Sequence, residues 1–148
     1  MCYCDGNAGR RAAKLLGHCA GIAQSALDAT LTYTRERIRF GKPIAANQGV
    51  QWMLVEMATR VDCARMLVYR ATAAKMAGHP YTREAAQAKL YASETTTYVT
   101  QKAVQLHGGM GYTSSYPVER LMCEAKLTEI FEGTSEVQLM VVAKHILA

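Results

Sequence analysis

The chain has 148 residues, half of them apolar and one fifth charged, with a net charge of +5. That is enough for one domain with its own core, and no apolar run approaches the roughly 18 residues of a bilayer-spanning helix. Lys and Arg are scattered rather than gathered into a stripe, which argues against nucleic-acid recognition. The five cysteines, odd in number and widely spaced, do not make a disulfide framework.

The N-terminal MCYCDGNAGRR has no apolar stretch behind a basic start, so it reads as neither a signal nor a transit peptide. Residues 1–10 are expected to be an irregular leader and 11–148 a single helical domain. Cys2 and Cys4 have no second pair at ligand spacing, so no metal is expected. Cys19 and Cys63 sit in apolar helical patterns and read as small buried hydrophobes in a reducing compartment.

Cys19, Ile22, Ala26, Ala29 and Tyr33 step by three and four, which predicts a helix from about Arg11 to Arg37, stopped by Gly41-Lys42-Pro43. Val50, Leu54, Met57, Val61, Ala64, Val68 and Ala71 predict a second helix, with Glu56 and Arg60 paired on another face. Gly78-His79-Pro80 closes it. The third stripe, Ala85, Ala88, Ala92, Thr95, Val99, Ala103 and Leu106, is rich in small residues and ends at Gly108-Gly109. A short helix spans about Val118–Ile130, and a last one runs from the Gly133-Thr134 break to Leu147. No strand pattern and no repeat is visible. The expected fold is all-α, an up-down four-helix bundle with an extra short helix.

Four stretches could carry chemistry, and each has a plainer reading. RERIRFGKP gathers basic residues at a helix C-terminus, as a dipole-complementing end or as a clamp on a phosphate or pyrophosphate. QLHGGMGY is a helix stop, or a turn whose glycines let a ligand approach the backbone. YPVER begins a helix with proline at its start. IFEGTSEVQ breaks one helix and starts another, with Thr134 or Ser135 as N-cap and Ser135/Gln138 at capping-box spacing. Glu132 then leaves the corner either as a partly desolvated base or as a surface glutamate.

Together GIAQSALD, RERIRFGKPI, the following glutamine, QLHGGMGY, YPVERLM and IFEGTSEVQ stand in the order found in the C-terminal domain of acyl-CoA dehydrogenases, and residues 15–147 resemble that domain. The resemblance implies an FAD-dependent enzyme that makes an α,β double bond in an acyl-CoA thioester. Electrons would leave to an electron-transfer flavoprotein. By the same resemblance Glu132 matches the base that removes the α-proton, and Gly133 a backbone contact to the substrate. Thr134 and Glu136 match residues beside the flavin, although glutamine is common where Glu136 stands. Arg37, flanked by Arg39 and Phe40, matches the arginine that reaches the FAD pyrophosphate of a neighbouring subunit. Gln48 matches a second contact, and Gln105, Leu106, His107, Gly108 and Gly109 match the turn along that cofactor. The family forms dimers and tetramers through this domain, so a homo-oligomer is expected, in a bacterial cytoplasm or, alternatively, a mitochondrial matrix. Family members also carry an N-terminal helical and a central β-domain. Arg10 and Arg11 do not match the family's substrate-binding arginine in spacing. The alternative to a catalytic domain is a helical oligomerisation or binding module that keeps these motifs.

Overall fold

The computed structural model describes residues 8–148, with side chains from Gly17 onward. Cys2, Cys4 and most of the expected leader lie outside the described residues, as do the side chains of Arg10 and Arg11. Five α-helices are present among the described residues: α1 (Ala8–Glu36), α2 (Gln48–Met76), α3 (Thr82–His107), α4 (Val118–Ile130) and α5 (Ser135–Ile146).

The long helix α3 is the axis of the molecule, packing against each of the other four. The larger core joins Ile22, Ala26 and Leu27 of α1, Met57 and Val61 of α2, Val99 and Ala103 of α3, and Val118, Leu121 and Ala125 of α4. A smaller cluster of Cys19, Ala64, Ala71, Ala88 and Ala92 fills the other end, with Phe131 packed against it. Small side chains let α1 and α3 approach closely, and one buried hydroxyl crosses that contact. Thr96 Oγ1 lies 2.7 Å from Ala92 O and 3.1 Å from Cys19 O, and Thr30 and Thr34 donate to carbonyls one turn back. The expected Glu56–Arg60 pair forms at 3.0 Å on the surface.

Three expectations change. The RERIRFGKP stretch does contain strands: β1 (Ile38–Arg39) pairs antiparallel with β2 (Lys42–Pro43). Phe40 and Gly41 make its two-residue turn with φ of 52° and 76°, the left-handed pair that suits strand twist. Two-residue strands are too short to show alternation. Cys63 is exposed, because it falls two residues past Val61 and so off the buried Val61–Ala64 stripe. The Ser135/Gln138 capping box does not form. Thr134 is the N-cap, which puts Gln138 one position too late, and its Nε2 instead donates to Gly133 O at 3.2 Å.

Candidate functional site

The expected site residues fall into two groups at opposite ends of the bundle. The first is the corner between α4 and α5. Phe131 leaves α4 in extended conformation and seats its ring on the smaller core cluster. Glu132 and Gly133 then take φ of 55° and 91°, two successive left-handed residues that reverse the chain before Thr134 caps α5. Glycine adopts this freely, but for glutamate it costs roughly 1–2 kcal/mol. The Gln138 bond to the Gly133 carbonyl holds the corner shut, and a Cβ on Gly133 would meet Gln138 Nε2 at 2.7 Å. The side chain of Glu132 is exposed on this chain, not partly desolvated as one sequence reading allowed. Beside it, the Thr134 hydroxyl, followed by the backbone N–H of Glu136, holds the Glu136 carboxyl below its ordinary range.

Under this corner lies a residue that the sequence reading did not single out. Lys89 is 2% exposed, and its Nζ has no hydrogen-bond partner among the described residues. Burial pushes its ammonium below the ordinary lysine range, opposed by the nearby Cys19, Glu129 and Glu136. A signal was available: Lys89 adjoins the small-residue stripe of α3 next to Ala88, where a charge breaks the pattern.

The second group is at the other end. Arg37 follows α1, half-buried, and lines a cavity of about 280 Å³ with Tyr33, Glu36, Met110 and Tyr116. Arg39 is exposed, and Phe40, at the hairpin tip, is 100% exposed. Gln48, the first residue of α2, is also exposed. At the end of α3, Gln105, Gly108 and Gly109 face solvent, with open space around both glycines. Leu106 and His107 point inward, so any ligand contact from them runs through backbone atoms. The next glycine in the turn, Gly111, is there for a different reason: a Cβ would lie 2.7 Å from Val104 O and 2.8 Å from His107 Cβ.

The separation of the two groups follows from the helices. Cys19 of α1 belongs to the cluster under the corner, whereas Tyr33 borders the Arg37 cavity. Fourteen residues of α-helix place these points about 20 Å apart. One end offers an accessible carboxylate on a rigid corner. The other offers a guanidinium, a bare glycine turn and an unpartnered aromatic, a donor set that suits an extended anionic dinucleotide.

Comparison with known proteins gives a consistent picture. The family described as "Acyl-CoA dehydrogenase, C-terminal domain" matches residues 7–147. The short-chain specific acyl-CoA dehydrogenase of Clostridium acetobutylicum is 51% identical over 126 residues, which are 85% of this chain and 33% of that protein. The structure of butyryl-CoA dehydrogenase from Megasphaera elsdenii superposes with a TM-score of 0.93 at 41% identity, over 95% of this chain and 37% of that one. A chain in the structure of the electron transferring flavoprotein of Acidaminococcus fermentans gives a TM-score of 0.90 at 43% identity, over 92% of this chain and 36% of that one. The chain spans about a third of the length of the curated relatives it matches.

Proposed function

The chain belongs to the acyl-CoA dehydrogenase family, as its C-terminal domain, and from that membership we propose that it supplies the catalytic base and part of the cofactor grip of an FAD-dependent dehydrogenase acting on acyl-CoA thioesters. The observation that carries this reading is the corner at Glu132. A non-glycine residue is held left-handed, anchored from inside by Phe131, with its carboxylate turned outward. Strain of this kind is kept where the surrounding packing over-determines it, and it aims one group at one place.

In this reading Glu132 takes the α-proton of the thioester onto a carboxylate oxygen. FAD, when bound, would supply the acceptor for the hydride that leaves the β-carbon. Gly133, with no side chain in the way, leaves its backbone open to the substrate carbonyl. Thr134 and Glu136 would stand beside the flavin. Desolvation of Glu132 comes from the ligand and from covering chain, since this domain alone leaves it exposed.

Arg37, Arg39, Phe40, Gln48, Gln105 and the Leu106–Gly109 backbone would hold the pyrophosphate and neighbouring parts of a second FAD, that of another copy. The separation of about 20 Å between the two groups supports this division of labour. Exposed Trp52, Val55, Met66, Tyr69 and Met76 along α2 are apolar area that other copies would cover, so the active form is a homo-oligomer. The likeness to a chain in an electron transferring flavoprotein structure supports an electron-transfer flavoprotein as redox partner. No described helix is long and apolar enough to cross a membrane, and relatives come from bacteria and mitochondria. We propose a bacterial cytoplasm, with a mitochondrial matrix as the alternative.

The test is Glu132→Gln in the assembled enzyme. Dehydrogenation of a short acyl-CoA, followed with an artificial electron acceptor, is expected to fall at least 100-fold. Flavin content and helix content should not change. Turnover near the wild-type rate would remove Glu132 as the base.

A further inference from the structure

Three rings from three separate segments meet behind the Arg37 cavity. Tyr33 of α1 stacks on His107 at the end of α3, with centroids 4.2 Å apart and planes at 21°. Tyr116, just before α4, meets both edge-on, at 5.2 and 5.1 Å. The His107 ring is 3% exposed. Its Nδ1 lies 2.7 Å from Ala103 O, and because a carbonyl only accepts, Nδ1 carries the proton. Nε2 has no partner among the described residues. The ring therefore acts through its shape, its stacking and the one bond that fixes its plane.

Two backbone bonds give this cluster its reach. The Arg37 N–H donates to Tyr33 O at 2.8 Å, so Tyr33 and the guanidinium-bearing residue share one turn. The Tyr33 hydroxyl donates to His107 O at 3.1 Å. That carbonyl ends α3, caps the 3-10 turn Gly108–Tyr112, and leads directly into Gly108 at φ 62°. One side chain thus ties the end of α1 to the glycine turn, two segments 74 residues apart in sequence. The buried Gly111 packs against the base of the His107 side chain, where an added Cβ would lie 2.8 Å from His107 Cβ, so the turn comes this close only with glycine there.

We propose that Tyr33, His107 and Tyr116 form a positioning cage that fixes Arg37 against the Gly108–Gly109 turn, so that two pieces of the dinucleotide grip keep one spacing. The proposal rests on the dinucleotide reading above. Tyr33 and His107 are positioning residues: they act through Arg37 and the turn, and nothing in the geometry requires their side chains to touch the ligand.

Tyr33→Phe keeps the stacked ring and removes only the hydroxyl, so it is the variant of choice. Two measurements are made on the assembled enzyme as wild type, Tyr33→Phe, Arg37→Ala and the double variant: FAD affinity by fluorescence, and amide hydrogen exchange along the chain. Tyr33→Phe is expected to weaken FAD roughly 3- to 10-fold, and to weaken it much less when Arg37 is already alanine. Amides of 37–44 and of 108–111 should exchange faster together, while the α4–α5 corner keeps its protection. Additive losses in affinity, or faster exchange confined to one segment, would overturn the cage. If the assembled wild-type enzyme takes up no FAD, the dinucleotide reading fails. The exchange measurement then still decides the cage: linked acceleration upholds it, and unlinked acceleration sinks it.

Discussion

At the scale of single residues, the proposed role of Glu132 as base and the stability of its corner pull against each other. Its left-handed backbone makes it a poor place for any residue but glycine. Glu132→Gly is therefore expected to raise stability by up to about 1 kcal/mol, the strain relieved less the extra entropy of glycine, and to abolish dehydrogenation. Chemical denaturation checks the first part; a loss of stability would mean that the corner is held by contacts of the carboxylate itself. Lys89 presents the reverse case, a buried cation below that corner. Lys89→Met keeps the length and removes the charge, and should stabilise the fold by roughly 1–2 kcal/mol. A lower melting temperature would show that attraction to Glu129 and Glu136 outweighs desolvation. His107 gives a pH dependence. Burial lowers its pKa from the ordinary value of about 6.5, so the unfolded chain binds a proton that the folded chain resists. Stability from this group is therefore full above about 6.5 and is lost as pH falls below it. Glu36 and Arg37 line the adjoining cavity, while burial is the larger cause of the shift, opposed by the bond to the Ala103 carbonyl. Thermal melts between pH 5 and 7 should show the loss, and His107→Phe should flatten it.

At the scale of elements, the sequence was legible where burial is one-sided. The stripes of α1, α2 and α3 are regular because each helix rests one face on the core, and Gly108, Pro117 and Gly133 mark element ends that the structure keeps. The hairpin was not legible, since its register is set by a turn of two left-handed residues rather than by side-chain alternation. The inward turn of Leu106 and His107 was half legible: Leu106 lies on the α3 stripe, but the cage around His107 depends on Tyr33 and Tyr116, which no local pattern joins to it. Lys89 was missed because a single charge beside an alanine-rich stripe looks like an edge residue until α5 is packed over it. A substitution tests the turn at this scale. Gly111→Ala puts a Cβ against the backbone of Val104, which cannot yield as a side-chain tip would, and is expected to cost about 1–3 kcal/mol. Gly109→Ala, with open space around it, should be tolerated for folding.

At the scale of the whole molecule, one helical axis carries two unlike sites. The corner near Cys19 and the cage near Tyr33 are rigidly joined by α1 and α3, yet lie too far apart to grip one end of one ligand. In an oligomer the same domain can then present a base to one cofactor and a clamp to another. This is the central claim, and mixing two inactive variants tests it directly. Glu132→Gln lacks the base and Arg37→Ala lacks the clamp, so neither alone should turn over an acyl-CoA. In a mixed oligomer, one site receives its base from the Arg37→Ala copy and its clamp from the Glu132→Gln copy, and both of those groups are intact. The account predicts that co-assembled variants recover a substantial part of wild-type activity. Mixed oligomers that form but stay inactive would contradict it, and would place base and clamp on the same cofactor.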